Sequence, residues 1–203
     1  MKTLCFVLAT ANPDKAREII EVLSGDGIEI EPRDPSLPDV DETGTTLEEN
    51  ARIKAKAISD ATGRPAIADD TGLEVDALGG EPGVHSARFA GEGATYDDNV
   101  EKLLRRLHGI EGAARTARFA TVAIARWPDG REVAALGTVE GTIATSPRGD
   151  GGFGYDPVFV PDECDGRTFA ELSPSEKHAV SHRGRAFRTL AEGLRVVAHV
   201  SSP

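Results

Sequence analysis

Two adjacent aspartates, Asp69 and Asp70, close a short apolar run in A-I-A-D-D-T-G-L-E, residues 66–74. Pro65 before the run and Gly72 after it punctuate a buried strand over 66–68 that stops on the carboxylates. Acidic oxygens at such a strand end lie at the rim of a sheet, where α/β proteins place their ligands. Successive side chains of an extended backbone point to opposite faces, so the two aspartates are expected to do different jobs. The same residues also suit a solvated turn in which Asp70 or Thr71 caps a helix. Asp41, Glu42, Asp69 and Asp70 together suit Mg²⁺, a hard cation that takes carboxylate oxygens, water and substrate phosphates. Lys15, Lys54 and Lys177 would neutralise a polyphosphate. The glycine-rich 149–154 segment lets backbone approach a ligand, and Phe153 and Tyr155 offer faces on which a planar base can stack. No Walker A sequence, zinc signature or nucleophile elbow competes. The set points to metal-assisted chemistry on a nucleotide-like phosphate.

The elements that must hold these residues read clearly. Residues 3–9 form a buried first strand. Asn12 follows as N-cap and Pro13 as the first helical residue, with Ala16, Ile19, Ile20 and Leu23 at helical spacing. The free N–H groups at that helix start suit a phosphate, and Lys15 adds a positive charge. Residues 25–27 end the helix, and 28–30 alternate as a second strand. After a loop over 33–46, a helix starts near Leu47 behind a Thr46/Glu49 capping box, with Asn50 and Lys54 on one face. Gly63 closes it. Residues 79–93 read as irregular, and 96–107 as a third helix with an acidic start and a basic end. Residues 115–126 and 132–142 pair as a hairpin around Pro128-Asp129-Gly130, flanking the site as a second lobe. A G-x-G-x-x-G match at 149–154 is discarded, because Tyr155, Asp156 and Pro157 lead into a short strand over 158–160 and not into a helix. Ser173 with Glu176 caps a short helix carrying Lys177. The last helix begins near Ser181-His182-Arg183 and buries Phe187, Leu190, Leu194 and Val197.

With 203 residues, the chain has length for one large domain or two small lobes. A formal net charge of -11 argues against a nucleic-acid polymer as partner. Cys5 and Cys164 belong to no metal or redox motif, and a reducing cytoplasm suits both. The apolar stretch before Ala9-Thr10-Ala11 is shorter than the roughly 7–15 residues of a signal-peptide core. No stretch approaches the ~20 apolar residues of a membrane span. A cytoplasmic protein without membrane contact is expected.

Six stretches match one known family in order: L-A-T-A-N-P-D-K, D-E-T-G-T-T-L-E-E-N-A-R-I-K-A, A-I-A-D-D-T-G-L, G-G-E-P-G-V-H-S-A-R-F-A-G, G-G-F-G-Y-D-P-V-F and S-H-R-G-R-A. From about residue 4 to residue 195 the chain resembles the inosine/xanthosine triphosphate pyrophosphatases, which hydrolyse non-standard purine nucleoside triphosphates. The resemblance implies an elongated mixed central sheet flanked by helices, in a single α/β domain spanning 1–203 with two lobes around a nucleotide-binding cleft. It implies a homodimer, a requirement for Mg²⁺, and release of nucleoside monophosphate and pyrophosphate from ITP, dITP and XTP.

By position, Thr10, Ala11, Asn12, Pro13, Asp14 and Lys15 resemble the family's triphosphate-binding segment. Asp70 matches its catalytic carboxylate and metal ligand, with Asp69 beside it, and Thr71 a substrate contact. Asp41 or Glu42 matches the second metal ligand, and the register between them stays open. Lys54 resembles a phosphate-facing lysine. Phe153, Gly154, Tyr155 and Asp156 match the base-binding loop, where many relatives carry Trp at Tyr155. Lys177, His182 and Arg183 match the remaining nucleotide contacts. Ala11 stands where many bacterial relatives have Gly, so the turn there is expected to differ slightly. The rival readings are a related pyrophosphatase for pyrimidine triphosphates and a catalytically silent nucleotide-binding regulator on the same fold.

Overall fold

The computed structural model describes residues 3–23, 27–37 and 39–200, the side chains of 198–200 excepted. Its strands are β1 (Leu4–Leu8), β2 (Ile28–Glu31), β3 (Ala66–Val75), β4 (Pro82–Gly83), β5 (Thr116–Arg126), β6 (Glu132–Ile143) and β7 (Phe159–Pro161). Its α-helices are α1 (Pro13–Leu23), α2 (Leu47–Thr62), α3 (Tyr96–Arg106), α4 (Pro174–Val180) and α5 (His182–Val200). The strands form one mixed sheet in the order β2-β1-β3-β5-β6-β7, with β4 paired to β3. Parallel pairs join β1 to β2 and β3, while β3–β4 and β6–β7 are antiparallel. The chain is therefore an α/β protein built on a mixed sheet flanked by helices.

The chain divides into two compact units, Met1–Asp70 with Thr121–Gly137 and Arg183–Pro203, and Thr71–Ala120 with Thr138–His182. Each has its own apolar core. In the first unit Phe6, Leu8, Ile19, Leu23, Ile67, Phe187, Leu190 and Leu194 are buried together. In the second, Leu73, Val75, Leu103, Phe119, Phe159 and Phe169 are. The expected second lobe made of the 115–142 hairpin is not found, because β5 and β6 are divided between the units. Gly141 belongs where it is for packing: a Cβ there would meet the Val160 carbonyl oxygen at 2.3 Å, inside the β6–β7 ladder.

Most local signals hold. Thr46 and Glu49 make the capping box of α2, and Gly63 ends that helix at φ +65°. Thr95 with Asp98 and Ser173 with Glu176 do the same for α3 and α4. The helix end expected at residues 25–27 falls in part outside the described residues, and α1 runs to Leu23. Thr46→Ala, which removes the side-chain acceptor for the Glu49 N–H, is expected to cost about 1 kcal/mol of stability. A denaturant titration checks this.

The strand expected to stop at Asp69 instead continues to Val75. Its residues are almost wholly buried, with Asp69 2% and Asp70 5% exposed. Two carboxylates remain inside such a strand only if cations meet them. The geometry of those cations defines the site.

Candidate active site

In the first unit the start of α1 is built as its sequence requires. The Asn12 side-chain oxygen accepts from the Asp14 and Lys15 N–H groups at 2.9 and 3.2 Å, and Pro13 opens the helix. Thr10 Oγ1 accepts from the Asn12 N–H at 3.1 Å. Ala11 causes no strain, since Asp165 is the non-glycine residue with positive φ among those described. Lys15 reaches out of this first turn to Asp69 Oδ2 at 3.5 Å. Burial pulls its ammonium below the usual lysine range, and Asp69 offsets only part of that.

The alternation along β3 separates the two aspartates as expected. Asp69 Oδ2 faces Lys15 and the Arg183 guanidinium, whose Nη2 lies at 3.4 Å. Arg183 is 2% exposed, and its Nη1 donates to Glu18 Oε2 at 2.6 Å. Asp70 faces α2: Lys54 Nζ donates to its Oδ1 at 2.7 Å, and Asn50 Nδ2 approaches Oδ2 at 3.4 Å. Lys54 also donates to Glu42 Oε1 at 2.8 Å. Burial raises the Asp70 carboxyl pKa by more than Lys54 and Lys15 lower it. Burial disfavours the Lys54 ammonium, yet Asp70, Asp69 and Glu42 outweigh that and raise its pKa. A buried carboxyl with a raised pKa beside a fixed cation is well placed to take a proton.

Glu42, and not the exposed Asp41, is brought onto Lys54 with Asp70. Among the described residues, no three His, Cys, Asp or Glu side chains gather into a metal cage. Two carboxylates bridged by one ammonium fit Mg²⁺, which typically uses one or two carboxylates and completes its shell with water and phosphate oxygens. Lys15, Lys54 and Arg183 meet Glu18, Glu42, Asp69 and Asp70 in ion pairs, and the carboxylates of such a cluster are the hard oxygen donors that a divalent ion takes.

In the second unit the 149–156 loop is held from within. Asp156, 3% exposed, accepts from the Phe153 N–H at 2.7 Å and from Lys177 Nζ at 2.5 Å. Gly152 is at φ +69°, and a Cβ there would fall 2.1 Å from Asp156 Oδ2, so this turn needs glycine twice over. Phe153 is half-buried, with Lys177 Nζ 4.8 Å from its ring centroid and Tyr96 at 5.8 Å. Tyr155 is 5% exposed and belongs to the apolar core, which leaves Phe153 as the loop aromatic nearer the surface. His182 is stacked on Phe119 at 4.4 Å and 11°. Thr71 is half-buried in β3 directly after Asp70, and Gly154 is half-buried at φ +64°.

Sequence reasoning missed Glu18 and gave Asn50 only a place on a helix face. The available signal for Glu18 was its position on α1 next to the apolar Ile19, both now buried. A carboxylate on the inward stripe of an amphipathic helix calls for a cation, which lies 165 residues away in Arg183.

The Ham1 family profile matches residues 6–193. The chain is 51% identical over 188 residues to the dITP/XTP pyrophosphatase of Symbiobacterium thermophilum, covering 93% of both chains. It is 50% identical to that of Geobacillus kaustophilus, covering 92% of each. Among solved structures, a HAM1 protein from Coxiella burnetii superposes with a TM-score of 0.85 at 42% identity, covering 95% of this chain and 98% of that one. The Staphylococcus aureus Ham1 protein does so at 0.82 and 39%, covering 94% and 98%. With the profile spanning nearly the whole chain and such relatives on either side, the chain belongs to the Ham1 family.

Proposed function

We propose that this protein is a nucleoside triphosphate pyrophosphohydrolase that hydrolyses the non-standard purine nucleotides dITP, ITP and XTP to the monophosphate and pyrophosphate. The reading is carried by Asp70, a buried carboxyl with a raised pKa fixed by Lys54, which Glu42 shares. The names of its relatives give the substrate class. Asp70 takes the proton of a water whose oxygen attacks the α-phosphorus. The bond from that phosphorus to the bridging oxygen breaks, and pyrophosphate departs with the electron pair. Lys54, Lys15 and the N–H groups at the start of α1 stabilise the negative charge that leaves. Glu42 and Asp70 would hold Mg²⁺, which when bound supplies charge neutralisation at the phosphate oxygens.

Base choice follows from donors. Glu18 and Asp69 fix the plane of the Arg183 guanidinium, and such a fork donates to a 6-oxo acceptor, much as arginine reads guanine. A 6-amino group would set donor against donor, which disfavours adenine. In the second unit the Phe153 ring, backed by Lys177, offers the face for a planar base. A homodimer acting in the cytoplasm completes the reading, and no helix among the described residues is long and apolar enough to cross a membrane.

Pyrophosphate release from ITP, XTP, dTTP, GTP and ATP, with Mg²⁺ and with EDTA, tests this. Turnover of ITP and XTP at least tenfold above ATP, abolished by EDTA, is the expected result. Activity mainly on dTTP would move the enzyme to the pyrimidine group, and tight ITP binding without turnover would make it a regulator.

A further inference from the structure

The G-V-H-S-A-R-F-A-G stretch, residues 83–91, has no part in the chemistry above, yet several of its polar groups are held by hydrogen bonds from β3, α3 and Tyr155. Ser86 is 7% exposed. Its hydroxyl accepts from the Leu73 N–H of β3 at 2.9 Å and donates to the Gly83 carbonyl at 2.6 Å. Its carbonyl accepts from the Tyr155 hydroxyl at 2.9 Å. Asn99 of α3 braces the same stretch, accepting from the Ala90 N–H at 2.7 Å and donating to the Ala87 carbonyl at 3.2 Å. Lys102 of α3 donates to the Phe89 carbonyl. The stretch is thus fixed to a helix on one side and to β3 on the other, and Tyr155 hangs from its middle.

We propose that Ser86 is a positioning residue: through the Tyr155 hydroxyl it fixes the Phe153–Gly154 turn in the second unit to the Leu73 backbone of β3. Two anchors then define the turn. Asp156 ties the Phe153 N–H from below, and the Tyr155–Ser86 bond ties the next residue but one to a rigid support. Burial raises the Tyr155 pKa, so the hydroxyl stays a donor at all working pH values. A buried tyrosine hydroxyl ordinarily finds some partner. This partner is distinctive because its own side chain is hydrogen-bonded three residues beyond Asp70. The inference rests on the reading that this turn receives the base.

The test uses Tyr155→Phe, Ser86→Ala and the double variant of the full chain. Tyr155→Phe keeps the ring and removes only the anchoring proton. Ser86→Ala touches no group assigned to substrate, but frees residue 86 from Leu73 and Gly83. In both, amide hydrogen exchange at residues 153 and 154 is expected to quicken about fivefold, the weight of one hydrogen bond, with β1 amides unchanged. KM for ITP is expected to rise about fivefold with kcat within twofold, and the double variant to be no worse than the worse single one. Unchanged exchange and KM with a lowered Tm would make the bond purely structural and overturn the proposal, as would additive effects. If the wild type fails to turn over ITP, the base reading fails by itself, and the exchange data still decide whether Ser86 positions the turn.

Discussion

Asp70→Asn is expected to lower kcat for ITP by about 10²–10⁴-fold, the usual weight of a general base, while ITP still binds within a few-fold of the wild type. The substitution is nearly isosteric, and an amide can keep the contact with Lys54 through its oxygen. What it loses is the capacity to take a proton and a negative charge at a place where burial makes the carboxyl pKa high. Lys54 retains Glu42 at 2.8 Å, so its ammonium is not left alone in the interior and the fold should survive. Circular dichroism and single-turnover kinetics separate the two effects. Near-normal turnover would reduce the Lys54–Asp70 pair to a structural ion pair and remove the central residue of the proposed mechanism. Loss of both folding and activity would point the same way, toward a stabilising role.

What the sequence made legible was what adjacent residues decide among themselves. Asn12-Pro13 opened α1 where expected, two capping boxes were found by their spacing, and the 3.6-residue stripe of α5 placed Phe187, Leu190 and Leu194 in the core. The divergence of Asp69 and Asp70 followed from strand geometry alone. The end of β3 was misread because two carboxylates and a glycine normally stop a strand. Here Lys15, Lys54 and Arg183 arrive from three separate helices and allow the strand to continue. Such compensation depends on tertiary contacts and leaves no local pattern. The same limit hid the choice of Glu42 over Asp41 as the residue on Lys54, since both positions lie in one acidic loop. It also hid the burial of Tyr155, which as an aromatic in a glycine-rich segment looked free to stack. Its hydroxyl partner is 69 residues away.

The sequence reading begins a strand at Arg115. The structure places it just before the strand, 5% exposed, with its guanidinium inside the second unit. Nε donates to the Ile143 carbonyl at 2.6 Å and Nη2 to that of Ala144 at 2.8 Å, while Nη1 reaches the Leu107 and Ile110 carbonyls at 3.0 Å each. Two of these acceptors, the C-cap Leu107 and Ile110 in the turn after it, follow the C-terminal end of α3, where a cation is favoured. The other two end β6. Burial lowers the Arg115 pKa, but arginine keeps its proton in proteins, so one planar fork fastens a helix end to a strand end. Arg115→Ala would take the guanidinium from four carbonyls, of which that of Leu107 keeps the Ile110 N–H at 3.1 Å, and any left unpartnered costs about 1–3 kcal/mol if it stays dry. Water entering the space left behind should relieve some of that. A loss of about 3–4 kcal/mol is expected, which for a chain of this size is a fall in Tm on the order of 10 °C. Arg115→Lys should recover only part of it, because a point ammonium cannot span acceptors arranged for a fork. A Tm within 2 °C of the wild type would mean that the four bonds are replaceable by water. If the loss is as large as expected, hydrogen exchange should quicken along α3 and the end of β6, with β1 and α1 of the first unit left protected, because every acceptor of this guanidinium belongs to the second unit.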